Sequence, residues 1–191
     1  MRKIRNFKVN LCIKEILRVI KKLNNISEVS LEFEENVKRG CRIYSKFLHP
    51  SVVYDTFSKE SFPLFEKNAV LSKYVACSVF FITIGSNIEE ECNLNRTAFG
   101  EYTSTIVSAI AVDALEQSRS FVQRLIVNEA KYEGCEISRE EELDNSVYGE
   151  FAKIIPIEKI NVNIVSGKLD PKYSSCGLLY WIPSKKKQKN T

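Results

Sequence analysis

The sequence predicts an α+β domain, and three observations carry that expectation. Helical segments come first, strands and helices then mix, and a pair of strands closes the pattern, so the regular strand–helix alternation of a parallel doubly wound sheet is missing. Val75–Ile84 is apolar, β-branched and aromatic enough to be a buried central strand. The segment from roughly Thr103 to Lys131 has the strongest helical periodicity in the chain.

Each element has its own reason. A first helix is expected from about residue 11, because Ile13, Ile16, Leu17, Ile20 and Leu23 form one stripe while Lys14, Arg18, Lys21 and Lys22 fill the outer face. A second is marked by Phe33, Val37, Cys41, Tyr44 and Phe47 or Leu48. Its acids come early (Glu32, Glu34, Glu35) and its bases late (Lys38, Arg39, Arg42, Lys46), which suits the helix dipole. His49-Pro50 stops it, and Ser51–Phe57 reads as a short strand. A short helix is expected around Glu66–Lys73. After the buried strand, Gly85-Ser86-Asn87 turns the chain, and Ser86 or Asn87 caps a helix with Glu89, Glu90 and Glu91 in its first turn.

The long helix carries Val107, Ile110, Ala114, Phe121 and Leu125 on its stripe, widened by Ala111, Val122 and Ile126, and Gly134 ends it. Cys135–Ser138 is expected to be a strand, and residues 139–156 to be irregular. Asn161–Leu169 and Ser175–Ile182 are expected strands joined by a turn at Asp170-Pro171-Lys172. Residues 1–183 then form one domain, and the basic tail 184–191 is expected to be disordered.

Length and composition bound the function. A chain of 191 residues buries about 70% of its unfolded surface and needs no disulfide or metal staple. The 28 Lys plus Arg outnumber the 24 Asp plus Glu by four, and the tail holds four of those lysines (Lys185, Lys186, Lys187, Lys189). The body is therefore close to neutral, which gives no case for a nucleic-acid protein. The single histidine, His49, excludes His-rich metal sites, His–His acid/base pairs and zincin motifs. Six cysteines stand far apart with no C-x-x-C, so they read as reduced packing thiols. The basic start Met1-Arg2-Lys3-Ile4-Arg5 has no apolar core behind it, and no stretch approaches a membrane span. These features together predict a cytoplasmic location without a membrane partner.

Motif chemistry is sparse. Gly167-Lys168 lacks the upstream glycine of a Walker A loop, and no G-x-G-x-x-G occurs. A Cys–His nucleophile pair would have to use His49, which reads more simply as a surface residue before a proline. Glu89–Glu91 and Glu140–Glu142 could be metal or acid/base sets, but read better as a helix N-terminus and a solvated loop. No catalytic residue and no metal ligand is expected from the residues alone.

Five segments nevertheless resemble, in order, the activation (S-adenosylmethionine-binding, reactivation) domain of cobalamin-dependent methionine synthase, especially its stand-alone relatives. They are Ile13-Lys14-Glu15-Ile16-Leu17-Arg18, Val53-Tyr54-Asp55-Thr56-Phe57, Tyr74 through Glu89, Ser108-Ala109-Ile110-Ala111-Val112-Asp113-Ala114-Leu115, and Pro171-Lys172-Tyr173-Ser174-Ser175-Cys176-Gly177-Leu178. The resemblance spans about residues 10–182. It implies a bent, mostly antiparallel sheet flanked by helices. It also implies a domain that holds S-adenosylmethionine (AdoMet) beside a corrinoid on a partner methyltransferase. A flavodoxin-type donor supplies an electron to oxidised cobalamin, and methyl transfer from AdoMet traps the reduced cobalt. Such a domain works by positioning. It is an accessory to a corrinoid-dependent methyltransferase and has no active site of its own.

By the same resemblance, Arg139 stands where the family has the arginine of its R-x-x-P-G-Y segment. No Pro-Gly-Tyr follows, and Tyr148-Gly149 is the nearest remnant. Asp113 matches the family's helix acid, and its plainer reading is a charge on a helix face. Tyr173, Ser174 and Gly177 would lie in a strand beside the pocket. The implied ligand is AdoMet, and the implied partners are a corrinoid-binding protein or methyltransferase and a flavodoxin-type reductant. Three functional readings stay open: a reactivation-domain-like protein serving a corrinoid enzyme, a non-enzymatic interaction protein of the same fold that has lost AdoMet, and an unrelated α+β binding module whose motif matches are coincidence.

Overall fold

The structure is a computed structural model that describes residues 1–62, 74–95, 97–140, 143 and 145–184. In chain order its elements are β1 (Arg2–Arg5), α1 (Ile13–Asn24), α2 (Leu31–Tyr44), β2 (Ser51–Ser58), β3 (Ala76–Thr83), α3 (Asn87–Leu94), β4 (Ala98–Glu101), α4 (Thr103–Tyr132), β5 (Cys135–Ile137), α5 (Tyr148–Ile154), β6 (Asn163–Val165), β7 (Lys168–Asp170) and β8 (Ser174–Pro183). The expected helix at Glu66–Lys73 and the tail from Lys185 lie outside the described residues.

Five strands form one antiparallel sheet in the order β1-β2-β3-β8-β5. Alternate residues of its central strands face opposite ways. Val52, Tyr54, Phe80, Ile82, Leu179 and Trp181 point to one face, where Val122, Ile126 and Ala130 of α4 cover them. Val53, Cys77, Val79, Phe81, Cys176, Leu178 and Tyr180 point to the other, where they meet Phe62, Phe151, Ile155, Ile157, Ile160 and Val162. Helices and turns thus flank the sheet on both sides, which is why Val75–Ile84 reads as one continuous apolar run. No helix among the described residues is long and apolar enough to cross a membrane.

A third cluster joins the first three helices to the N-terminal half of α4 through Ile16, Ile20, Val37, Tyr44, Ile88, Ile106 and Ile110. The apolar stripes of α1 and α2 expected from sequence are the faces buried here. Ser30 caps α2, its side chain accepting from the Phe33 N–H at 3.1 Å. Gly134 follows α4 with φ +69°, and its N–H donates to the Lys131 carbonyl at 3.1 Å, as a residue just past a helix end should.

Three expectations need correction or addition. Residues 139–156 are not irregular throughout: Asn145–Val147 form a 3₁₀ turn and α5 follows. This helix is only seven residues long, with Phe151 its one fully buried residue, so its periodicity is too short to read. Asn161–Leu169 is not one strand but the hairpin of β6 and β7. Ser166 (φ +51°) and Gly167 (φ +76°) provide the paired positive dihedrals of a two-residue hairpin turn. Arg2–Arg5, read only as a basic terminus, is the edge strand β1, paired with β2 from Arg2 opposite Tyr54 to Arg5 opposite Ser51.

Candidate ligand-binding cleft

Glu116, Arg119, Ser120, Gln123 and Val127 recur at three- and four-residue steps on α4, so they share one face of it. They form one wall of a cleft of about 520 Å³ whose other residues are Ile137, Ser138, Arg139, Glu140 and Leu179. Clefts of several hundred Å³ are the size that takes a cofactor-sized molecule. The 138–140 segment is held in place by β8. The Ser138 N–H donates to the Tyr180 carbonyl at 2.9 Å, and the Tyr180 N–H donates to Ser138 Oγ at 3.1 Å.

Glu140 is the centre of the polar network. Arg119 Nη1 donates to its Oε1 at 3.2 Å and Gln123 Nε2 donates to its Oε2 at 2.5 Å. Arg119 Nη2 donates to Ser175 Oγ on β8, so the guanidinium bridges helix, loop and sheet. Arg119 Nε is enclosed and donates no hydrogen bond among the described residues; Glu116 Oε1 lies 4.0 Å away. Gly177 faces this network from β8. A Cβ there would overlap the Phe80 ring and the Glu140 carboxylate, so only glycine lets the two meet over the strand.

The seven residues singled out in the sequence fall into separate places. Arg139 lines this cleft and is exposed. Gly177 meets it through Glu140. Asp113 sits in an adjoining cleft of about 400 Å³ together with Phe7, Lys8, Asn10, Arg18, Gln117 and Arg124. Glu116 and Ser120 belong to both clefts. Asp113 is 7% exposed, and burial pushes its carboxyl above the ordinary range, opposed by hydrogen bonds from the Cys12 N–H and the Gln117 side chain. Tyr173 points to α4, its hydroxyl donating to Ser108 Oγ at 3.0 Å.

Tyr148 and Ser174 lie elsewhere, in a third cleft of about 320 Å³ beside the β6–β7 hairpin. Tyr148 packs against the cluster on the sheet face opposite α4, and Ser174 Oγ donates to Thr83 Oγ1 at 2.9 Å. Gly149, next to Tyr148 on α5, is exposed with open space around it. The sheet therefore stands between the Arg139 cleft and Tyr148-Gly149.

Sequence reasoning missed Arg119, Gln123 and Ser175, and set Glu140 aside as loop charge. The signal was weak: Glu116, Arg119 and Gln123 are polar residues at helical spacing, but α4 buries only 12 of its 30 residues and has an ordinary polar face in which they do not stand out. Among the described residues, no group of three or more His, Cys, Asp or Glu is placed to hold a metal ion.

A five-stranded antiparallel sheet with a 30-residue helix on one face, and a polar cleft along that helix, define an α+β domain. No family model matches the chain, and no curated protein matches it. Among solved structures, the crystal structure of the MetH reactivation domain bound to AdoHcy superposes with a TM-score of 0.59 at 12% sequence identity, covering 97% of this chain and 80% of that one. The chain has the fold of that domain; at this identity the likeness is one of architecture.

Proposed function

We propose that this chain is a reactivation-domain-like protein that takes an S-adenosyl ligand in the α4–Arg139 cleft and so supports reductive methylation of a corrinoid held by a partner methyltransferase. The observation that carries the reading is the likeness over 97% of the chain to a domain solved with AdoHcy. The cleft's chemistry supports it. The amino-acid end of such a ligand is a zwitterion, and the cleft offers the Arg139 and Arg119 guanidiniums beside the Glu116 and Glu140 carboxylates. When bound, the sulfonium supplies an electrophilic methyl group. The chain's contribution is to hold the ligand at a fixed orientation, anchored on α4 and on a loop tied to β8. The partners that follow are a corrinoid-binding protein or methyltransferase and a flavodoxin-type reductant, and the setting that follows is cytoplasmic.

Calorimetry with AdoMet and AdoHcy tests the ligand. The expected result is saturable binding, weakened about tenfold by Arg139→Ala, the loss of one charge-assisted contact. No heat and no thermal shift at millimolar ligand would sink it.

One observation favours a second reading, an interaction protein of the same fold without the ligand. Asp113 and Glu140 already spend their carboxylates on internal partners. That reading expects capture of a corrinoid protein or flavodoxin that is indifferent to AdoMet.

A further inference from the structure

Arg119, Gln123 and Glu140 form one hydrogen-bonded cluster along the cleft. Arg119 Nη1 and Gln123 Nε2 converge on the two oxygens of one carboxylate, at 3.2 and 2.5 Å, which is how a protein receives a free carboxylate. Arg119 is held for that task by its second donor on Ser175, across the sheet. The carboxylate received is the chain's own: the Glu140 side chain is 14% exposed and lies over Gly177, where any larger residue would exclude it. Among the described residues, the enclosed Arg119 Nε donates no hydrogen bond.

We propose that Arg119 and Gln123 are the seat for the α-carboxylate of an amino-acid-bearing nucleoside, and that Glu140 fills this seat when the ligand is absent. Binding is then an exchange of one carboxylate for another, with Glu140 swinging off Gly177 as the ligand arrives. The proposal rests on the cleft being the S-adenosyl site, and it adds a built-in competitor that lowers affinity. The exchange also makes the site selective. A nucleoside thioether lacking the amino-acid end cannot displace Glu140, so it gains nothing when Glu140 is neutralised.

The test compares wild type with Glu140→Gln, whose amide keeps the shape but loses the charge. Calorimetry with AdoHcy is expected to show about tenfold tighter binding to E140Q, the difference between displacing a charge-assisted and a neutral partner. Binding of 5′-methylthioadenosine, which shares the nucleoside and thioether but has no carboxylate, is expected to be unchanged. The double variant R119Q/E140Q removes both charges together and leaves no buried carboxylate unpaired. It is expected to lose the AdoHcy gain and keep methylthioadenosine binding. Equal or weaker AdoHcy binding by E140Q, or an equal gain for both nucleosides, overturns the competition.

Acetate provides an arm independent of the nucleoside. Followed through the Arg119 Nε–H resonance, it is expected to perturb E140Q at lower concentration than wild type, and an identical response overturns the seat. If neither nucleoside binds any variant while acetate still discriminates, the S-adenosyl reading fails and the carboxylate seat stands.

Discussion

Asp113 Oδ2 accepts a hydrogen bond from the backbone N–H of Cys12 at 3.3 Å, which ties the middle of α4 to the residue just ahead of α1. Gln117, one turn further on, reinforces the tie: its Nε2 donates to Asp113 Oδ2 and to the Asn10 carbonyl, both at 2.8 Å, and its Oε1 accepts from the Asn10 N–H at 3.0 Å. The helix acid that resembles a ligand contact in sequence thus serves first as a clamp between two helices.

That clamp has a pH signature. Burial raises the Asp113 pKa above its unfolded value. The folded state therefore binds more protons in the window from the ordinary Asp range up to the raised value, and Asp113's ionisation makes stability fall as pH rises through it. Asp113→Asn keeps an acceptor for Cys12 and removes the titration. Urea unfolding between pH 3.5 and 7 should show the variant gaining on wild type as pH rises. Asp113→Ala, which strands the Cys12 N–H, should cost about 1–2 kcal/mol at the acid end and less as pH rises, because it too removes the titration.

Gly177→Ala forces a methyl group into the Phe80 ring, whose Cε1 would lie 2.7 Å from it, and into the Glu140 carboxylate. Phe80, on β3, is fully buried under α4, which leaves its ring little room to step aside. Chemical denaturation should report a loss of about 1–3 kcal/mol, the usual cost of overpacking. Glu140→Ala in the same background should recover part of it, since one of the two clashes is then gone.

Tyr54 couples the sheet to the far end of α4, its hydroxyl donating to Glu129 Oε1 at 2.6 Å. Burial first, and the Glu129 carboxylate second, push its pKa up to about 12. Below pH 10 the phenol is neutral in both states. Above that the unfolded chain loses its proton before the folded one, so this residue makes stability decline through the window from 10 to about 12. Tyr54→Phe should lose about 1 kcal/mol at neutral pH and show a shallower decline when unfolding is measured from pH 9 to 11.5.

The six cysteines are free thiols in very different settings. Cys12 is exposed, whereas Cys77 and Cys176 lie within β3 and β8, where burial raises their thiol pKa far above the ordinary range; the Cys41 thiol is pushed up to about 11. Ellman's reagent should label Cys12 rapidly in the native protein and reach Cys77 and Cys176 only as fast as the chain unfolds. Cys12→Ser should remove the rapid phase. A rapid phase that survives the double substitution Cys12→Ser and Cys92→Ser, which removes the exposed and the half-buried thiol, would show that the core opens locally.

The long elements were legible because each writes its burial into a local period. α1 and α4 show their stripes, and the doubly covered β3 shows a solid apolar run with Gly85 behind it. Short or edge elements do not. β1 has three basic residues in four, so only Ile4 marks an inward side, and its pairing is decided by the free edge of β2. In α5 only Phe151 is fully buried, too little for a period to register.

By itself, then, the sequence determined the α+β class, the order and limits of the main helices and strands, and, by resemblance, the reactivation-domain architecture. Tertiary structure alone decided which charges meet. Arg119 and Glu140 are 21 residues apart and Arg119 and Ser175 are 56 apart. Their encounter depends on the rotation of α4 and on the register that places Gly177 opposite Phe80. The same geometry keeps Arg139 on one side of the sheet and Tyr148 on the other, although only eight residues separate them in the chain. Periodicity is a property of neighbours along the chain, whereas a binding cleft is a property of faces, and only the packed sheet determines which face a side chain shares.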